Sequence, residues 1–270
     1  MYRASAAIAD GTAAAVSLRL SHWSGRTFAP GAHAIDDEFS ERHFTDLTGA
    51  YGLSYRPDRA RSGTTFAAMA AKLAGADDEL ELAVVTHVTP DLDCRYAAST
   101  YLSALPSAPL SFTVHGPGAP FSAIRVAGRY QQRHGLRRVA VLAFDQSQLP
   151  YDVPAGQAAT ADAGFALFFG TEGSPVVLAQ RGDGDLRGAV EDVLKSAGPG
   201  RSNATAFCTP QVPVEMVSDL LPGAVAESAD PNGRPATAVL SLLTQHTPAW
   251  YLRLDDQTGE ATACYFGDER

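Results

Sequence analysis

The clearest signal along the chain is a recurring alternation of short apolar runs with amphipathic stretches of helical period. LELAVVTHV (Leu80–Val88), RRVAVLAF (Arg137–Phe144) and ADAGFALFF (Ala161–Phe169) are continuous apolar runs of strand length. Such runs suit strands covered on both faces. Ala14–Leu20, Leu110–His115, Pro175–Gln180 and Ala204–Cys208 read as further strands, and Trp250–Leu254 with Ala261–Phe266 as a hairpin turning at Thr258-Gly259. Between them lie helical patterns. Thr64–Ala74 places Phe66, Met69, Ala70 and Leu73 on one face behind a threonine cap. Arg95–Leu105 ends at Pro106, and Pro120–His134 carries Ile124, Ala127, Gly128 and Gln131 and stops at Gly135. Leu186–Ala197, Val212–Leu221 and Pro235–Gln245 complete the helices, with a polar helical stretch at 38–51. SHWSGRTFAPGAHA (Ser21–Ala34) has no period and reads as a loop. Strands alternating with helices predict an α/β architecture.

The composition is that of a globular protein able to bury a large core: 270 residues, 45% hydrophobic and 19% charged. A net charge of −9 with no basic block argues against a nucleic-acid partner. No apolar run approaches the roughly 18 residues that span a bilayer, so no membrane partner is expected. Cys94, Cys208 and Cys264 lack metal-ligand spacing, so no metal is expected. Their odd number, together with an N-terminal stretch broken by Asp10 and Gly11, predicts a reduced, cytoplasmic protein.

The order of phrases carries a resemblance. HVTPD (His87–Asp91) is followed by PLSFTVHGPGAPF (Pro109–Phe121), then by the strand 137–144, and then by Ala161–Phe169 with Asp162 and Gly164 in the places of a "G-D-G-A-x-A" strand. YGLSYRPDR (51–59) matches a "G-I-x-x-R" phrase ahead of the first long helix. This resembles the thiolase-fold condensing enzymes, in particular the β-ketoacyl-acyl carrier protein synthase III branch. The resemblance implies a five-layered αβαβα sandwich of two pseudo-duplicated halves, shortened here and divided as residues 1–180 and 181–270. The family's nucleophilic cysteine is delivered at a strand-to-helix junction, and here Gly118 occupies that position. Its histidine is expected after the strand Ala204–Phe207, where this chain reads CTPQVP and places Cys208 or Thr209. Its asparagine is expected in a "G-N-x-x-x-A" phrase, where NGRPATAVL places Arg234. Three independent motifs thus lack the Cys-His-Asn chemistry.

Other side chains are candidates for residual chemistry: His115 as a base or oxyanion donor, Cys208 as a displaced thiol, and Ser122 as a hydroxyl nucleophile. The plainer alternatives are that His115 fills space, Cys208 is core and Ser122 lacks a base. Cys94 lies beside Asp91 and Asp93, whose charges oppose thiolate formation. Trp23, Arg26 and Arg56 are candidates for contacting phosphopantetheine or a nucleotide.

The resemblance implies a non-catalytic synthase III-like subunit that forms a homodimer or pairs with an active condensing enzyme, in fatty acyl or polyketide-type secondary metabolism. It would shape its partner's acyl tunnel and hold no permanent cofactor. An acyl-CoA or phosphopantetheine-carrier thioester would be the substrate, and an acyl carrier protein a further partner. The alternatives are an atypical acyltransferase or thioesterase-like enzyme, and a small-molecule-binding regulatory homodimer.

Overall fold

The computed structural model describes residues 15–29, 31, 37–50, 53–58, 63–75, 77–116, 118–153, 157–198, 204–229, 233–256 and 258–268. The Asp10-Gly11 interruption, most of the loop reading over 30–34, Tyr51, Pro117 and Asn232 lie outside them.

The chain divides into two compact units, one of Arg19–Gly173 with Asp230–Gln245, the other of Ser174–Ala229 with His246–Arg270 and the start of the chain. The strand at 174–181 therefore opens the second unit, and the helix at 238–245 belongs to the first.

The first unit contains most of β1 (Val16–Thr27, whose first three residues fall in the other unit), α1 (Glu38–Ala50), α2 (Phe66–Ala74), β2 (Leu82–His87), α3 (Ala98–Ser103), β3 (Leu110–His115), α4 (Ala119–His134), β4 (Val139–Asp145) and β5 (Ala163–Gly170). Its strands lie in the order β3-β2-β4-β5-β1. β2 is parallel to both β3 and β4, whereas β5 is antiparallel to β4 and β1. The second unit contains β6 (Ser174–Arg181), α5 (Leu186–Ala197), β7 (Thr205–Cys208), α6 (Val214–Leu220), β8 (Val225–Ser228), β9 (Ala249–Asp255) and β10 (Glu260–Phe266), and α7 (Ala238–Gln245) intervenes between β8 and β9 in sequence. Its order is β8-β7-β9-β10-β6, with β7 parallel to β8 and β9 and β10 antiparallel to β9 and β6. Numbered within its own half, each sheet reads 3-2-4-5-1 with the fifth strand reversed. The halves are topological duplicates, although no residue-level repeat is visible.

Local sequence explains most of the elements. Thr65 caps α2 by accepting from Ala68 N at 3.1 Å, and Gly135 ends α4 in the left-handed region at φ +64°. On one face of the first sheet, Ala83, Val85, Ala140, Leu142 and Phe144 pack with Phe66, Met69 and Ala70 of α2 and Leu102 of α3. α4 packs on β2, β3 and β4, with Phe112 of β3 against Tyr130 at 5.3 Å. In the second sheet, α5 and α6 cover Val177, Ala179, Trp250, Leu252, Ala261, Ala263 and Tyr265.

The structure corrects the reading at two places. Ser21–Thr27 is strand, not loop: it continues β1 and pairs with β5 from His22↔Phe168 to Thr27↔Ala163 past a register shift at 20–22. Its residues are exposed, so no apolar alternation marks them. Gly25 is required there, because a Cβ would lie 2.5 Å from the Phe165 ring. β8, four residues long and largely exposed, also carries no apolar pattern.

Candidate functional site at the carboxyl ends of the first sheet

Open α/β sheets bind ligands beyond the carboxyl ends of their parallel strands. In the first unit those ends are His87 of β2, His115 of β3 and Asp145 of β4, and three of the candidate residues lie around them: His115, Gly118 and Arg234.

Gly118 is the N-cap of α4, at φ +77° and ψ −1°, and Gly116 two residues earlier is at φ +109°. The left-handed turn reverses the chain from β3 into α4 within three residues, which glycine permits without a steric penalty. Phe121 N and Ser122 N donate to Gly118 O at 3.1 and 3.2 Å, and no side chain caps the helix. The junction thus has the geometry that presents a residue at a helix head, but the residue presented has no side chain.

His115 faces away from α4. Ser111 and Thr113 bond to Ser99 and Ser103 of α3, whereas Phe112 meets α4, and strand alternation puts His115 on the α3 side. There it neighbours His87, with ring centroids 6.2 Å apart, and His87 in turn lies 5.0 Å from Phe66. Burial, then the nearby His115, pushes the His87 pKa down to about 4, so its ring is neutral at pH 7. Among the described residues its Nδ1 is shut off from water without a hydrogen bond, as is Thr86 Oγ1 beside it.

Asp145 closes β4. Its carboxylate accepts from Ala236 N at 2.9 Å, Thr237 N at 2.9 Å and Thr237 Oγ1 at 2.7 Å, and so fixes the segment that leads into α7. Desolvation raises its pKa, opposed by these bonds and by the charge of Arg234. Arg234 therefore sits within electrostatic reach of β4, in the same topological place before α7 that Gly118 holds before α4.

Two further carboxyls, unnoticed as functional in the sequence, order the loops behind these ends. Asp162 accepts from Thr64 N, Ser147 N and Ser147 Oγ. Asp91 accepts from Phe66 N and Asp93 N and from Gln146 Nε2, so it ties the head of α2 to the loop after β4. Burial raises the Asp91 pKa from 3.8 to about 7. The neutral form is thus favoured on folding, and its contribution to stability is complete below about pH 4 and is lost as pH rises through about 7. Stability should fall over that window by at most about 1.4 kcal/mol per pH unit from this group. Asp91→Asn should flatten the slope in urea unfolding followed from pH 4.5 to 7.5. An unchanged slope would show that Asp91 is already ionised in the folded chain.

The remaining candidates are dispersed. In the second unit Thr209 follows β7, donates N–H to Leu252 O at 3.1 Å and keeps a buried hydroxyl with no partner. Cys208 packs in the core under α5 and α6, where burial pushes its pKa up to about 11. Ser122 is half-buried in the first turn of α4, and its hydroxyl makes no hydrogen bond among the described residues. Trp23, 42% exposed, stacks on Phe165, and Arg26 lies over Phe28. Arg56 bonds Asp152 at 3.1 Å, beside a cavity of about 440 Å³ lined by Asp58, Ser147, Tyr151 and Asp152. Of these side chains Ser122 adjoins the helix head, where its own N–H donates to Gly118 O. Among the described residues no His/Cys/Asp/Glu cluster has metal-ligand geometry, and no helix is long and apolar enough to cross a membrane.

Duplicated 3-2-4-5-1 sheets with reversed fifth strands, and a buried-face helix entered through a left-handed turn, define a thiolase-like α/β fold. Solved structures agree. The chain is similar to the acyltransferase ChlB3 (13% identity, 94% of this chain and 98% of that one, TM-score 0.56). It is also similar to a 3-oxoacyl-(acyl-carrier protein) synthase from Burkholderia xenovorans LB400 (14%, 94% and 95%, 0.56). A third is the oxazolomycin ketosynthase domain OzmH KS8 of Streptomyces albus JA3453 (14%, 94% and 96%, 0.58). The structural neighbours are thus ketosynthase III-like and other condensing enzymes. No family model matches the sequence, and no curated protein matches it either.

Proposed function

We propose that this chain is a non-catalytic ketosynthase III-like subunit that pairs, with itself or with an active condensing enzyme, in the biosynthesis of fatty acyl or polyketide-type products. The observation that carries this reading is Gly118. The turn that presents a residue at the head of α4 is intact, at φ +77°, and the residue has no group able to hold an acyl chain. Thr209 and Arg234, in the expected places of histidine and asparagine, support it, because neither can supply an imidazole or a carboxamide. The role left to the scaffold is association and the shaping of a neighbour's acyl tunnel. The acyl-CoA or carrier-bound thioester would react on the partner.

The rival reading, an acyltransferase with its own nucleophile, has to use Cys208, Ser122 or His115. A thiol pushed up to about 11 is almost wholly protonated at pH 7. Ser122 has no base bonded to it, and His115 lies on the α3 side. Intact-mass spectra of the purified chain, after incubation with acyl-CoA or acyl-carrier protein at pH 7.5, are expected to show no acyl increment. A stoichiometric adduct on Cys208 or Ser122 would reject the non-catalytic reading in favour of the acyltransferase.

A further inference from the structure

Arg234 stands on a backbone clamped from both sides, and among the described residues its side chain makes no hydrogen bond or ion pair. Upstream, Gly233 O accepts from Thr160 N at 2.7 Å and from Thr160 Oγ1 at 3.3 Å. The approach is so close that a Cβ on Gly233 would lie 2.4 Å from the Thr160 methyl, and Gly233 itself is at φ +67°. Downstream, Asp145 holds Ala236 and Thr237 by three bonds, and Ala238 N donates to Arg234 O at 3.0 Å as α7 begins. Pro235 removes further freedom between the clamps. The side chain therefore leaves from a fixed origin, which lowers the ordering cost of binding.

The guanidinium itself is uncommitted. Arg56, Arg95, Arg138, Arg181 and Arg253 each hold a carboxylate. Arg234 is half-buried, and among the described residues its guanidinium makes neither a hydrogen bond nor an ion pair. Asp145, which feels its charge, already accepts three bonds from backbone and hydroxyl donors and is buried at 2% exposure. Arg234 thus retains its five N–H donors beside a strand end where ligands bind. The head of α4 follows β3, the strand two places from β4 across β2. A planar fork of donors matches an oxyanion with two acceptor oxygens.

We propose that Arg234 is the recognition residue of a small-oxyanion site at the carboxyl end of β4, which takes a carboxylate or a phosphate group. The site belongs to the isolated chain and does not rest on the partner-subunit reading. Titration calorimetry of the full chain at low ionic strength, with malonate, hexanoate and inorganic phosphate as separate probes, tests it. At least one probe should bind saturably, and Arg234→Gln should weaken it by about tenfold or more. Arg234→Lys should retain part of the affinity, and Arg187→Gln, at an exposed position of α5, all of it. Binding of malonate or hexanoate assigns the site to an acid, and binding of phosphate alone assigns it to a phosphorylated ligand. Circular dichroism melts of the unliganded variants should match the parent, and if Arg234→Gln unfolds, the lysine variant and the Arg187 control still decide. Absence of binding by all three probes, or equal binding by the parent and the Arg234 variants, overturns the proposal whatever the acyl-adduct experiment gives.

Discussion

Val114→Asp is expected to leave the chain folded and to abolish its association with itself or with a condensing-enzyme partner. β3 is the end strand of the first sheet and pairs, among the described residues, only with β2. Its LSFTVH sequence is half-buried and half-exposed along its length, and Leu110 is 54% exposed. An open edge of this kind presents a row of backbone donors and acceptors to a second strand. Pairing about a two-fold or pseudo-two-fold axis would bury Val114, and a carboxylate there would have no partner. The desolvation penalty is several kcal/mol per charge, and a homodimer carries two. Val225→Asp, on β8 at the edge of the second sheet and 62% exposed, serves as the control and should not alter association. Size-exclusion chromatography with light scattering, and co-purification with co-expressed synthases, reads the result. A folded Val114→Asp chain that keeps the parent's oligomeric state would place the interface elsewhere and remove the structural basis of the partner reading.

Asp145→Ala should cost about 3–5 kcal/mol in urea unfolding, enough to unfold a marginal domain. The substitution removes one buried acceptor but strands three donors, Ala236 N, Thr237 N and Thr237 Oγ1, each carrying an unmet desolvation penalty of about 1–3 kcal/mol. Asp145→Asn retains one acceptor oxygen and should lose less. Because burial raises the Asp145 pKa, the neutral carboxyl is favoured on folding, so this group's contribution declines as pH rises through its folded value. The difference between the aspartate and asparagine proteins should therefore narrow at higher pH. A loss below about 1 kcal/mol for the alanine variant would mean that water satisfies the stranded donors and that the segment carrying Arg234 is less tightly held than these bonds imply.

The two halves differ in how legible they were. The strands of the first half were recoverable because β2, β4 and β5 are covered on both faces, so every residue from Val139 to Asp145 is buried and the run is apolar as far as Phe144. The outer part of β1 and all of β8 escaped because an exposed strand is held by backbone hydrogen bonds, which leave no mark on side-chain polarity. α4 was found at nearly its observed limits, since a glycine cap and helical spacing act within a few residues.

The sequence by itself determined the alternation of elements and the glycine at the strand-to-helix junction, because these are properties of residue identity and local period. Only the tertiary structure decided the 3-2-4-5-1 order of both sheets, since strand neighbours are chosen by long-range pairing. It also decided which face His115 takes, because that follows from the serines of α3 bonding Ser111 and Thr113 across the loop. The isolation of Arg234 belongs to the same class. Asp145 lies 89 residues earlier in the chain, and it occupies its lone pairs with the very backbone that carries the arginine, leaving the guanidinium open.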